Sequence, residues 1–300
     1  MKTIFVHNAT VLDCAVLFPG VGARGQSWHV DIFWSGHVAE DGVLVDFGDA
    51  KRLAKQTIDT EFDHRLFVPR GAVIEQTDGR TTLATTWDEP QDCGAFVLDT
   101  YNNAIVCVND DIVSGVFAQN LAPLEMLIAA AVKAASPQNV SEVIVRLRNA
   151  EYGKSNFFSY THSLRCHSGN CQRFHGHSNV IEVLRGGVVD DALSAEAARF
   201  LMGKYLVPKS YVKSHPDKDD FSRIHEIMQS MAVLLQGHAF VEYRGSQGVV
   251  RLALPEFALI ATPEESTIES IADFVKTRLF SHEDVQVIAF EGLQKGAFSS

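Results

Sequence analysis

The 300-residue chain is 46% hydrophobic and 21% charged, the make-up of an ordinary globular protein long enough for one large or two medium domains. Its net charge of −11 argues against nucleic-acid or anionic-membrane binding, although a small anionic substrate needs only a local basic pocket, which Arg165, Arg173, Lys204, Lys209 and Lys213 could supply. No apolar run reaches membrane-spanning length, no signal-peptide core is visible, and five cysteines without a scaffold pattern fit a reducing cytoplasm.

In chain order, Ile4 to Leu17 and Ser27 to Ser35 read as strands of one hairpin. A helix is expected from about Phe47, with Asp46 as its N-cap and Phe47, Ala50, Ala54 and Ile58 along one face. Extra hairpin material spans Ala95 to Val108. A helix from Leu124 to Ala135 then leads into a strand from Glu142 to Arg148. Cys14, Cys93 and Cys107 sit among apolar neighbours and are expected in the core. Later, His238 to Ile260 reads as a further hairpin. Thr262-Pro-Glu-Glu265 has the form of a capping box with proline at the first helical position. The helix it opens, through Phe280, buries Ile268, Ile271, Val275 and Leu279. Val285 to Glu291 follows as a strand.

These elements repeat. Val11 to Leu17 lies over Phe158 to Leu164, Arg24 to Ile32 over His175 to Val183, and Phe62 to Pro69 over Leu201 to Pro208. Each half also closes with a helix running into a strand. Four matches in one order predict two homologous halves, 1–150 and 151–300. The halves differ where chemistry could sit. His162, His175 and His177 face Ala15, Arg24 and Gln26, whereas Asp63-His64 faces Met202-Gly203.

His175-Gly176-His177 carries the strongest chemical signal. In a strand, side chains at i and i+2 share a face, so the two imidazoles converge. Neutral imidazole suits zinc, and a catalytic zinc usually takes three protein ligands and keeps a position open. His162 is the candidate third ligand and Cys171 a nearby thiolate; the bland alternative is a polar strand beside a loop. Asp63 could equally cap a helix end, with His64 exposed, and Glu291 could mark the solvent end of its strand. Cys166 and His167 read as loop residues. His215, His225 and His238 read as structural or surface groups.

Together these motifs resemble the tunnelling-fold pterin synthases, the 6-pyruvoyl- and 6-carboxytetrahydropterin synthase family. The resemblance rests on Phe158 with His162, His175-Gly176-His177, Gly42 to Lys51, Asp63-His64 and Glu291, and it covers both halves. It implies an α+β fold of two tandem domains, each an antiparallel sheet with helices on one side, oligomerising into a barrel. Domain 1–150 would lack metal ligands but keep Asp63-His64; domain 151–300 would bind zinc through His162, His175 and His177. Cys171 would be the general base, with a fourth-ligand role as its alternative, and Asp63 would orient His64. Glu291 would hold the pterin ring. The resemblance further implies a cytoplasmic homo-oligomer, such as a trimer of tandem chains, acting on a pterin triphosphate. Cys171 stands four residues before His175, a spacing that resembles the 6-carboxy enzymes; the alternatives are the 6-pyruvoyl activity and a non-catalytic pterin-binding member of the family.

Overall fold

The computed structural model describes residues 1–89, 92–214, 220–292 and 295–299, with the side chains of Glu89, Asp92 and Cys93 left out. His215 lies outside the described residues, as does the side chain of Cys93.

The first half contains β1 (Lys2–Phe18), β2 (Gly22–Gly36), α1 (Phe47–Glu61), β3 (Leu66–Pro69), β4 (Val73–Thr77), β5 (Arg80–Glu89), β6 (Asp92–Tyr101), β7 (Ile105–Val108), α2 (Asp110–Phe117), α3 (Ala122–Ala135) and β8 (Val140–Arg148). The second contains β9 (Phe157–His162), β10 (His175–Arg185), β11 (Val188–Val189), α4 (Asp191–Leu201), β12 (Lys204–Pro208), β13 (Val212–Lys213), α5 (Ser222–Ser230), β14 (His238–Gly245), β15 (Gly248–Pro255), β16 (Leu259–Thr262), α6 (Ile268–Leu279), β17 (Val285–Gly292) and β18 (Lys295–Ser299). None of the described helices is long and apolar enough to cross a membrane.

One sheet runs β7-β3-β1-β2-β8; another runs β16-β12-β9-β10-β17-β18, with β11 paired to β10. The first five strands of each correspond one for one. Both sheets are mixed rather than purely antiparallel, because β3 pairs parallel to β1 and β7, as β12 does to β9 and β16. The outer face of the first sheet buries Leu12, Trp28, Ile32 and Trp34 against Ala54, Ile58, Leu124 and Ile128 of α1 and α3. In the second, Phe158, Ile181 and Val183 pack on Ala197, Leu201, Ile271 and Val275 of α4 and α6.

The inserted hairpins do not decorate their own halves. They merge into a third sheet, β13-β14-β15-β6-β5-β4, joined across the halves where β6 pairs with β15. Successive side chains of β6 point to opposite faces. Phe96 and Leu98 enter a core with Leu17 and Leu66 of the first half and Phe174, Tyr205 and Val207 of the second. Ala95 and Val97 face α5, where Phe221, Ile224 and Met228 cover them.

The halves also meet directly where β2 crosses β10. A Cβ on Gly25 would stand 2.1 Å from the Tyr160 carbonyl oxygen and 2.5 Å from the His177 nitrogen, and one on Gly176 would stand 2.5 Å from Gly25 Cα. Next to this contact, Ser27 N donates to Ser178 Oγ at 2.9 Å and Ser178 N donates to Ser27 Oγ at 3.1 Å. Equivalent residues thus exchange equivalent bonds across a local two-fold.

Several local expectations are corrected. Phe47 is exposed, and α1 buries Ala50, Ala54, Thr57 and Ile58 instead, although Asp46 does cap Gly48 N and Asp49 N. Cys14 is buried but Cys107 is exposed. The last helix starts at Ile268 with Thr267 as its cap, not at a box opened by Thr262. The backbone of Thr262 is taken up in pairing with Pro208, which leaves it no freedom to begin a helix. Register also shifts one alignment by a residue. Gly25 pairs with Ala15, and Gly176 pairs with Thr161, so the counterpart of His162 is Val16 rather than Ala15. A one-residue slip inverts the face of every side chain, and the hairpin registers reveal it where sequence matching does not.

Candidate metal centre

His175 and His177 leave the start of β10 on one face, and His162 ends β9 directly opposite His175. All three are at most 2% exposed. His162 Nδ1 donates to the Ser266 carbonyl oxygen at 2.9 Å, and His175 Nδ1 donates to that of Arg173 at 2.8 Å. A carbonyl can only accept, so each Nδ1 carries the proton and each Nε2 keeps its lone pair. Burial, reinforced by the neighbouring imidazoles, pushes both rings well below the ordinary histidine range. They are therefore neutral, yet their Nε2 atoms stand 3.1 Å apart. Two bare acceptors at that distance repel unless a cation lies between them. Nitrogens on one tetrahedral zinc, each about 2.0–2.1 Å from it, are roughly 3.3 Å apart. The donor set fits a divalent metal of the imidazole-binding class.

His177 completes the face through a partner that sequence reading missed. Its Nδ1 lies 3.3 Å from Oδ1 of Asp13, a buried carboxylate on β1 of the other half. Burial opposes the charge on Asp13, but His177, the Ser27 hydroxyl and His64 outweigh it and hold the carboxyl below its usual range. Ser27 Oγ donates to the same oxygen at 2.5 Å. A carboxylate behind a ligating imidazole sets its tautomer and raises its basicity. The signal in the sequence was an aspartate inside the apolar run Val11 to Leu17. Asp13→Ala is expected to weaken metal affinity about 10–100-fold, measured by chelator competition, and Asp13→Asn less, since its amide oxygen still accepts. Equal affinities for all three proteins would reduce Asp13 to a strand-packing role.

Asp63 and His64 follow α1 and come to the same centre within one chain. The Asp63 carboxylate pairs with His64 Nδ1, and its Oδ1 accepts from Asp13 N at 2.9 Å. Asp63 is thus neither a helix cap nor a free surface charge. The His64 ring lies 4.5 Å from His175 and 6.0 Å from His177 between centroids. Nitrogens of His64, His175 and His177 all fall within 4.8 Å of one another, so four imidazoles cluster where three were expected. Burial works against a charge on His64, but hydrogen bonds and charge from Asp63 and Cys171 prevail and raise it to about 10. Asp63 engages the Nδ1 of His64, whereas His162 and His175 turn bare nitrogens toward each other. His64 also holds a left-handed backbone (φ 53°), and its counterpart Gly203 does the same (φ 68°). There Arg24, in the place of His175, sends Nη1 to the Gly203 carbonyl oxygen at 3.3 Å and lies over Trp87. The matching position in the other half is filled by this guanidinium.

Cys171 sits half-buried on a short turn. The inserted hairpin β14–β15 holds that turn in place. Tyr243 Oη donates to the Gln172 carbonyl oxygen at 2.9 Å, and Ser246 N donates to Gln172 Oε1 at 2.7 Å. Glu291 lies on β17, next to β10, pairs with Lys295 at 3.4 Å, and is near enough to the buried Tyr160 phenol to disfavour its ionisation. The Tyr160 ring packs on His162 and His177. Cys166 is exposed on a loop with His167. His225 packs on Phe240, and His238 Nε2 accepts from Ala95 N at 3.0 Å, both structural roles. Of the basic residues expected to serve one pocket, Arg165 lies over Tyr211, Lys204 bonds the Phe257 carbonyl oxygen, and Lys213 pairs with Glu242.

The geometry defines a histidine-rich centre fit for a metal, with a cysteine and an aspartate–histidine pair against it. No protein-family model matches the chain, and no curated protein does. Among solved structures, the chain is similar to 6-pyruvoyltetrahydropterin synthase from Plasmodium vivax, at 14% identity and TM-score 0.28, over 49% of this chain and 98% of that one. A catalytic-residue mutant of the same protein gives TM-score 0.30 at the same identity and coverage. The Plasmodium falciparum protein gives 14% identity and TM-score 0.28, over 49% and 97%.

Proposed function

We propose that the chain is a zinc-dependent lyase of the tunnelling-fold pterin synthase type. In this reading it converts 7,8-dihydroneopterin triphosphate to 6-carboxy-5,6,7,8-tetrahydropterin, acetaldehyde and triphosphate, a step toward queuosine and other 7-deazapurines. Residues 1–150 form a degenerate domain that keeps Asp63-His64, and residues 151–300 form the metal-binding domain. One observation carries the reading: His162, His175, His177, Cys171, Asp63 and His64, drawn from both halves, converge in one chain on one small centre. The pterin itself is supported by the motif resemblance and the Cys171–His175 spacing.

Zinc held by His162, His175 and His177 supplies Lewis acidity, making protons next to the substrate's side-chain oxygens easier to remove. Cys171 takes such a proton as general base. His64, charged and close to Cys171, stabilises the anionic base, while Asp63 keeps the ring oriented and balances its charge. Glu291 holds the pterin ring by accepting from its amino and ring N–H groups, releasing Lys295 as it does so. The buried ligands and the Tyr160 ring keep water from the reacting carbon. The active assembly is a cytoplasmic homo-oligomer, a trimer of tandem chains that closes sheet edges into barrels.

Incubation with dihydroneopterin triphosphate is expected to release acetaldehyde. Formation of a 6-pyruvoyl product without acetaldehyde would instead select the alternative activity, triphosphate elimination without carbon–carbon cleavage. Cys171→Ala is expected to lower kcat about 10²–10⁴-fold with metal content unchanged. Undiminished turnover in that variant would remove Cys171 from the mechanism.

A further inference from the structure

Beside the centre lies a group of cations that the proposed chemistry does not use. Arg173, two residues before His175, is only 6% exposed, and its Nη1 is buried without a hydrogen-bond partner. Its Nε reaches only the Gln247 amide oxygen, at 3.4 Å. Arg65 follows His64, donates Nη2 to the Thr60 carbonyl oxygen, and has a buried Nε without a partner. Tyr101 Oη, at the end of β6, is likewise buried and unpartnered. Burial and the adjacent Arg65 guanidinium both work against the charge of Arg173, and Arg173 in turn acts on the Tyr101 phenol. Gln247, which meets Arg173 Nε at 3.4 Å, precedes Gly248, whose added Cβ would stand 3.4 Å from the Tyr101 ring, and the His64 ring beside Arg65 lies 4.5 Å from that of His175.

Nearby Arg80 shows the ordinary solution, since it is paired with Asp99 at 2.8 Å. Among the described residues, neither Arg65 nor Arg173 has a carboxylate within ion-pair distance. Asp63, the nearest acid acting on Arg173, is already engaged with His64 and Asp13 N. In a chain of net charge −11, two guanidiniums outside any ion pair, one of them buried, form an incomplete arrangement. Leaving a buried charged donor unmet is costly. Arginine forks match phosphate oxygens in charge and geometry.

We infer that Arg65, Arg173 and Tyr101 form a phosphate-binding subsite, built from both halves, that receives the polyphosphate tail of the substrate next to Cys171 and His64. Choosing a tail over free phosphate rests on the function proposed above. The anion's oxygens accept from Arg173 Nη1, Arg65 Nε and Tyr101 Oη. The tail then lies beside Cys171 and His64, placing the three-carbon side chain between tail and metal centre.

Calorimetric titration of the full chain with inorganic tripolyphosphate tests this without any pterin. The expected result is saturable binding that weakens about tenfold or more in Arg173→Gln and in Arg65→Gln, with a smaller loss in Arg173→Lys. Arg65 is the more exposed of the two, so its variant serves if Arg173→Gln does not fold. Unchanged affinity in a folded Gln variant, or no binding by the wild type, would overturn the subsite. Equal affinity for orthophosphate and tripolyphosphate would overturn its assignment to a polyphosphate chain. Arginine-dependent tripolyphosphate binding without pterin turnover would leave the subsite standing and remove the proposed activity. Turnover with an unaltered KM in Arg65→Gln would do the reverse.

Discussion

His177→Ala is expected to empty the centre of metal and to cost roughly 10²–10⁴-fold in turnover. In the proposed site the ring is one of three metal ligands, and Lewis-acid stabilisation is worth several kcal/mol, each 1.4 kcal/mol being about tenfold. The loss also strands Asp13, whose buried carboxylate is held ionised largely by His177, so apo stability should fall as well. Zinc per chain after chelation and reconstitution, measured by elemental analysis, separates the two effects. A variant that folds and still takes up one zinc per chain with wild-type affinity would exclude His177 as a ligand. His64→Ala provides the contrast. That ring is held charged at neutral pH, with a pKa near 10, so its removal should lower turnover while leaving metal uptake nearly intact.

Gly25→Ala should be among the most destabilising single substitutions in the chain, although it adds only one methyl group. The new Cβ would stand 2.1 Å from the Tyr160 carbonyl oxygen and 2.5 Å from two backbone atoms of His177. All are main-chain atoms of a hydrogen-bonded strand pair, and none can rotate away. Strands β2 and β10 must separate, which breaks the Ser27–Ser178 exchange and shifts His177 off Asp13. A cost of about 4 kcal/mol or more is expected, a fall in Tm of roughly 10 °C. Gly71→Ala is the control, since nothing lies within 4 Å of its added Cβ, and it should change stability by about 0.5 kcal/mol or less. Matching melting curves for the two variants would mean that the halves are not held together at this crossing.

Much of the site was legible because its determinants are local. Two histidines two residues apart on a strand share a face whatever packs on them, and an aspartate before a helical run finds the first free N–H groups, as Asp46 does. Non-local determinants were not legible. The last helix begins at Ile268 and not at Thr262 because β12 claims Thr262, a competition between distant segments. The inserted hairpins read as additions to each half, yet they join into one sheet, since each alone would leave an unpaired edge and an uncovered apolar face.

By itself the sequence determined the convergence of His175 with His177, the four-residue reach to Cys171, the adjacency of Asp63 and His64, and the repeat that sets the halves side by side. Only the tertiary structure decided that His162 stands opposite His175 and not a residue away, because strand register is set by the whole hairpin. It also decided that Asp13 backs His177 and that His64 reaches the centre within its own chain. The last two contacts join residues more than a hundred positions apart, and a side chain's identity carries no record of which distant segment will desolvate it. Burial then sets the chemistry, leaving His162 and His175 neutral and facing each other while Asp63 and Cys171 keep His64 charged.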